Sequence, residues 1–197
     1  MFSIYSHPPC FCVAKFLERG TRRVASAVLL VHVRGLPHLL LLHNATLDTF
    51  RLVGGSISPA ETMQDGLQRK IAKWLSVDGT ALGITPVHRL ATWYSLDYFG
   101  PQYPYLPAHA TQPRQIESLY LCTVPSTVTF SVPANWALVA VPISDLLRAD
   151  ARYGPVIARL PPLLSRFSFR AHRAPTAPTA DEEMRTDEAA TTPSDGA

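Results

Sequence analysis

The sequence is short of cysteine, of charge and of long apolar runs, and each shortage excludes something. Only Cys10, Cys12 and Cys122 occur in 197 residues, and none makes a C-x-x-C pair. Such a set supplies neither a disulfide framework nor a cysteine-built zinc site, and it implies a reducing cytosolic or nuclear compartment. The most apolar stretch, Leu39–Leu42, is far too short to span a bilayer. The first residues, MFSIYSHPPCFCVAKF, lack the basic start and apolar run of a secretory signal. No G-x-S-x-G or P-loop pattern occurs, and no Cys/His nucleophile pair can be argued. His32, His38, His43, His88 and His109 lack metal-ligand spacing and read as strand or loop histidines.

What is present is a core-forming composition. Hydrophobic residues are 47% and charged residues 17%, which excludes wholesale disorder and suits one domain plus a tail. The net charge of +3 hides a split. Residues 174–197 carry six acids and one base, a charge of −5, and lack aromatic residues. That Ala/Pro/Thr-rich tail cannot bury enough surface to offset its ordering entropy, so residues 171–197 are expected to be disordered. The remaining body is at +8, which leans toward polyanionic partners.

The expected elements alternate between strand and helix, which indicates an α/β or α+β domain over residues 21–170. Residues 1–20 form an extension, in which Val13–Arg19 is expected to be a short helix capped by Gly20. Val24–Val33, an Arg34-Gly35 turn and Leu36–His43 read as a hairpin. Phe50–Val53 reads as a short strand entering Gly54-Gly55. A helix is expected over Ala60–Leu75, with Met63, Leu67, Ile71 and Leu75 on one buried face. Strands follow at 84–94, Leu119–Val124 and Ala137–Val141. Helices follow at Ile143–Arg148 and Pro155–Leu164, the second expected to break at Pro161-Pro162.

The most informative segment is GSISPAETMQDGLQRK, residues 55–70. Gly55, Glu61 and Arg69 match the first half of the Nudix box, a loop–helix–loop motif that continues with Glu, an aliphatic residue, any residue and Glu-Glu. In hydrolases those glutamates bind divalent metal, usually magnesium, which clamps a diphosphate and activates water. Here the three glutamate positions are Lys70, Lys73 and Trp74. Ammonium groups cannot assemble a cation site, so no metal, no cofactor and no catalytic residue is expected. Glu61 and Asp65, at i and i+4, could share a helical face, but two carboxylates make a weak magnesium site. Glu61 is expected to pair with Arg69, Lys70 or Lys73 instead.

The stretches LPHLLLLH (36–43), GPQYPYLPAHATQP (100–113), LVAVP (138–142) and YGPVIARLPPLLSRFSF (153–169) go further. From about Phe16 to Phe169 the chain resembles the Nudix-type small subunit of pre-mRNA cleavage factor I, the cleavage and polyadenylation specificity factor subunit 5 family. The resemblance implies an α/β/α Nudix sandwich with a mixed sheet that does not hydrolyse nucleotides. It implies a nuclear homodimer that binds UGUA elements in pre-mRNA and holds a larger subunit through its RNA-recognition domain. It does not imply a membrane.

By the same resemblance Phe50 matches the second of two family aromatics that precede the Gly-Gly pair, while Thr49 stands at the first. Ser26 replaces a family glutamate, and Pro8 lies near a basic position of a longer N-terminal segment. Tyr153 and Gly154 match positions that approach RNA. The general RNA groove is thus matched more closely than the residues that read UGUA. Tyr103, Tyr105 and Leu163 match the larger-subunit interface.

The residues themselves are of the right kinds. Single-stranded RNA is held by aromatic stacking beside a basic groove, and Arg23, Phe50, Arg51 and Tyr153 supply both. Tyr103 and Tyr105 alternate with prolines that stiffen their loop, which limits the entropy lost on docking. Two other readings compete: a dimeric adaptor without sequence-specific RNA binding, and an active Nudix hydrolase of nucleoside diphosphate derivatives.

Overall fold

A computed structural model describes residues 16–18, 20–76, 79–97, 101–125, 127–147 and 150–169. The expected disordered tail lies outside these residues. So does most of the expected helix at Val13–Arg19, although residues 16–18 are helical. Gly20 adopts φ +72° and donates its N–H to the Phe16 carbonyl at 2.8 Å, the left-handed cap that glycine permits.

β1 (Arg22–Val33) is long enough to serve two sheets. Its first part pairs antiparallel with β4 (Val53–Ile57) and parallel with β7 (Gln115–Thr123). β7 continues antiparallel into β5 (Thr85–Ser95), and β5 into the two-residue β6 (Gln102–Tyr103). From Leu30 onward β1 pairs with β2 (Leu36–Asn44), which also carries β3 (Thr49–Arg51) and β8 (Ala137–Pro142). The Arg34-Gly35 turn has positive φ at both residues, the conformation that lets a tight hairpin follow the strand twist.

Helices cover the sheets and close two cores. α1 (Met63–Leu75) buries Leu67, Ile71 and Leu75 against Ala25, Ala27, Val53 and Ile57. Four short helices follow: α2 (Ile143–Leu146), α3 (Asp150–Tyr153), α4 (Pro155–Ala158) and α5 (Leu160–Leu164). They bring Leu146, Ile157, Leu160 and Leu164 onto Val28, Leu39, Leu41 and Leu119 in the second core. The result is the expected α/β class with a mixed sheet. Cys122 is a buried free thiol whose pKa burial pushes up to about 12, which makes it unreactive.

Three expectations need correction. α1 begins at Met63, not Ala60, because Thr62 is its N-cap: Thr62 Oγ1 accepts the Asp65 N–H at 3.2 Å. The last helical segment breaks at Arg159, not at Pro161-Pro162. Those prolines lie in the first turn of α5, where a missing N–H costs nothing. The strand expected over Phe50–Val53 divides at Leu52 into β3 and β4.

Candidate nucleic-acid interface and partner surface

The Nudix-like segment is built around close backbone approach. A Cβ on Gly54 would overlap the Ala25 carbonyl oxygen and come within 2.8 Å of Ser26 Cα. Gly54 therefore lets β4 lie tightly on β1. One on Gly66 would meet Ile57 at 2.7 Å, so this buried helical glycine seats α1 on β4. Glu61 precedes α1, so it shares no helical face with Asp65, contrary to the expectation. Its Oε1 accepts the Ser58 N–H at 2.7 Å, and Arg69 donates to both its oxygens. The Arg69 hydrogen bond, then the Ser58 N–H, hold the Glu61 carboxyl below the usual range. Asp65 Oδ2 is taken by the Thr62 hydroxyl at 2.6 Å. Both acids thus close the helix entrance.

The positions of the hydrolase glutamates are filled. The Trp74 Nε1–H donates to the Gly54 carbonyl at 3.0 Å. The Lys70 side chain passes Gly55, its Cε 3.6 Å from where a Cβ would stand. Burial, then the charges of Arg69 and Lys73, lower the Lys70 pKa. Among the described residues no three His, Cys, Asp or Glu side chains gather to hold a metal.

β3 separates the expected RNA-facing residues, because successive strand residues point to opposite faces. Phe50 packs against the second core. Its ring stacks on His43 with centroids 4.4 Å apart, and it meets the edge of Tyr153 at 5.0 Å. The Arg152 guanidinium lies over Phe50 at 5.1 Å, and His43 is anchored to Asp48 at 2.9 Å. Gly154, at φ +82°, follows Tyr153 and has open space where a Cβ would stand. Arg51 lies on the other side, over Trp74 at 5.3 Å and Trp136 at 5.5 Å. Desolvation there lowers its pKa, Glu117 opposes that shift, and Arg22 adds to it. Arg23 reaches the loop before α1, with Nη1 3.5 Å from the carbonyls of Pro59 and Glu61. Phe50, Tyr153 and Gly154 are therefore brought together, while Arg51 and Arg23 are not with them.

Of the residues expected at a partner interface, Tyr103 pairs with Tyr94 at the end of β5, and its ring lies 6.1 Å from that of Tyr105. Tyr103 is half-buried, and Tyr105 is 61% exposed. Leu163 packs against the second core from α5.

A NUDIX_2 family model, described as a nucleotide hydrolase, matches residues 11–167. A Dictyostelium discoideum protein named cleavage and polyadenylation specificity factor subunit 5 is 34% identical over 155 residues, 77% of this chain and 76% of its own. An Arabidopsis thaliana protein named pre-mRNA cleavage factor Im 25 kDa subunit 2 is 38% identical over 157 residues, 78% of each chain. The chain belongs to the cleavage and polyadenylation specificity factor subunit 5 family. Solved structures support the Nudix fold alone. A C. elegans Ap4A hydrolase complex superposes with TM-score 0.54 at 13% identity, covering 74% of this chain and 96% of that one. A Nudix hydrolase from M. smegmatis gives 0.51 at 17%, covering 76% and 89%.

Within this member of the subunit 5 family, Ser26, expected by resemblance to stand at a glutamate position, is not left alone. Ser26 Oγ donates to Glu117 Oε1 at 2.7 Å, and Gln102 Nε2 approaches Glu117 Oε2 at 3.3 Å. A carboxylate thus reaches the Ser26 position from the neighbouring strand. Sequence reasoning missed this carboxylate, as it missed His43, Arg152 and Trp136 as neighbours of the site. His43 was within reach, since a hairpin over residues 44–49 sets it directly across from Phe50. Arg152 lies on α3, a helix that the sequence reading did not contain. Trp136 carried no local signal, because only the fold brings it to Trp74, with centroids 5.4 Å apart.

Proposed function

We propose that this chain is a non-catalytic subunit of the nuclear mRNA 3′-end cleavage and polyadenylation machinery. In this reading it binds pre-mRNA, forms a homodimer and holds a larger subunit that carries an RNA-recognition domain. One observation carries the non-catalytic part: Lys70, Lys73 and Trp74 occupy the metal-glutamate positions of a chain whose relatives are named as cleavage-factor subunits. Metal-assisted hydrolysis needs negative charge at those positions, and this helix presents positive charge instead. RNA binding rests on the Phe50–Tyr153 cluster beside Arg152 and on the open backbone at Gly154. Partner binding rests on the exposed Tyr105 and its neighbour Tyr103, rigid aromatics on a proline-stiffened loop.

The test is affinity purification of the full chain from nuclear extract. An RNA-recognition-motif protein of the 3′-processing machinery is expected in the eluate, and its loss is expected from a Tyr103→Ala/Tyr105→Ala variant. Full retention of that partner by the variant would remove the interface assignment. Magnesium-dependent turnover of a dinucleoside polyphosphate or capped RNA, abolished by Glu61→Gln, would remove the non-catalytic reading.

One observation favours a second reading, a dimeric adaptor without sequence-specific RNA contact. His43 already stacks on Phe50, so the ring is engaged within the chain. Fluorescence anisotropy with UGUA-containing and scrambled RNA at two salt concentrations separates the two. Absence of binding at low salt selects the adaptor, and equal, steeply salt-dependent binding selects backbone attraction alone.

A further inference from the structure

β4 is lined by cations and indoles in register. Trp74 holds the Gly54 carbonyl, and Lys70 passes Gly55. Arg22 Nε donates to Ser56 Oγ at 2.8 Å. Arg51 lies over the Trp74 ring. The charge of Arg22 acts on both Lys70 and Arg51, so the three cations share one neighbourhood beside β4. Among the described residues no ion pair engages Arg22, Lys70, Lys73 or Arg51. The nearby acids are otherwise committed, Glu61 to Arg69 and Glu117 to Ser26 and Gln102. Folding has therefore gathered more positive than negative charge, since only Glu117 acts on Arg51 and Glu61 on Lys70, and it holds Arg22 and Arg51 in place through Ser56 and the indoles.

We propose that Arg22, Lys70 and Arg51 form a phosphate-binding site in which fixed cations hold a phosphate group directly. The site lies where a hydrolase would clamp phosphate through metal. The ordering cost of two of its three arms is already met in the free protein, which favours a compact, multiply charged anion. Guanidinium groups present several donors to phosphate oxygens, and the Lys70 ammonium supplies a point charge beside them. Trp74 and Trp136 give the site an apolar wall that strengthens these contacts by excluding water. The phosphate has two chemical sources, the backbone of a single-stranded RNA or a free diphosphate. Only the first rests on the RNA-binding reading above.

The experiment uses the full chain with two probes: a short fluorescein-labelled single-stranded RNA followed by anisotropy, and inorganic pyrophosphate followed by calorimetry. An Arg22→Gln/Lys70→Gln variant is expected to lose about tenfold in affinity, the scale of a charge-assisted hydrogen bond. With RNA, its slope of log K against log salt is expected to fall by about 0.7, the share of one phosphate no longer neutralised. Lys70→Arg is expected to keep wild-type binding, because the charge remains. Thermal melting checks that each variant is folded. Lys70-dependent binding of RNA assigns the site to backbone phosphate. Lys70-dependent binding of pyrophosphate without RNA binding leaves the site standing and removes the RNA reading. The proposal falls if neither probe binds, if the double variant keeps the wild-type slope while Phe50→Leu still weakens RNA, or if Lys70→Arg loses as much as the double variant.

Discussion

The two faces of β3 differ in what they have done with their aromatic residues. On the Phe50 side the rings of Phe50, His43 and Tyr153 gather near the surface, with Arg152 above them and an open glycine alongside. On the Arg51 side Trp74 and Trp136 close over a strand and hold a guanidinium against the sheet. The first face offers stacking surfaces, and the second offers fixed charge. Under the proposed non-catalytic reading, the contrast is that of a Nudix fold whose expected metal-ligand positions are occupied by other groups. Those helix positions hold an indole that bonds the backbone and an ammonium that brings positive charge.

The sharpest way to break this comparison is at Trp74. Replacing it with Ala removes a half-buried indole, its hydrogen bond to Gly54 and the ring beneath Arg51. A loss of about 3 kcal/mol in unfolding free energy is expected, measured by denaturant titration. Phe50→Leu tests the other face, since it keeps apolar volume and removes the ring. It is expected to weaken RNA binding by about 1–3 kcal/mol in anisotropy while shifting stability less than Trp74→Ala does. If both substitutions cost stability and neither moves RNA affinity, both faces are structural and the contrast has no bearing on binding.

How much of this was legible in the sequence follows from the range of the interactions. The strands of the first hairpin, the Gly20 cap and the buried face of α1 were readable because periodicity and turn chemistry are local. The start of α1 was misplaced because Pro59 and Ala60 resemble a helix entrance, while the competing Thr62 cap prevails. The break in the last helix was misplaced because proline disrupts a helix interior but suits a first turn. At the site, an ion pair of Glu61 with Arg69, Lys70 or Lys73 was readable from spacing, and the fold selects Arg69. The separation of Phe50 from Arg51 follows from strand alternation, and a two-sided strand hides that signal when only residue types are considered. The Trp74–Trp136 contact and the Glu117–Ser26 bond join distant segments, and nothing short of the fold brings them together.

Two smaller effects sharpen the comparison. His43→Ala frees one side of Phe50 from its intramolecular stack. If that stack competes with a base, RNA affinity is expected to rise by less than about 1.5 kcal/mol, the upper scale of an aromatic pair. A fall would mean that His43 itself supports the base. The smallest effect concerns the loop before α1. Because Arg69 and Ser58 depress the Glu61 pKa, the pair contributes stability that is present above the unfolded carboxylate pKa. That contribution is lost as pH falls through the depressed folded value. Glu61→Gln is therefore expected to lower the melting temperature at neutral pH and to match wild type at strongly acid pH. A constant difference across that range would show that the pair is not titrating.

The central claim is that this Nudix fold holds its ligand by its own side chains and not through a metal. It is tested most directly by measuring affinity for one single-stranded RNA in EDTA and again in magnesium, with the RNA recovered and sized afterwards. The account predicts binding in EDTA at least as tight as in magnesium, since magnesium only screens phosphate, and RNA recovered at full length from both. Binding that appears only with magnesium, or RNA that is shortened or loses a terminal phosphate when magnesium is present, would contradict it.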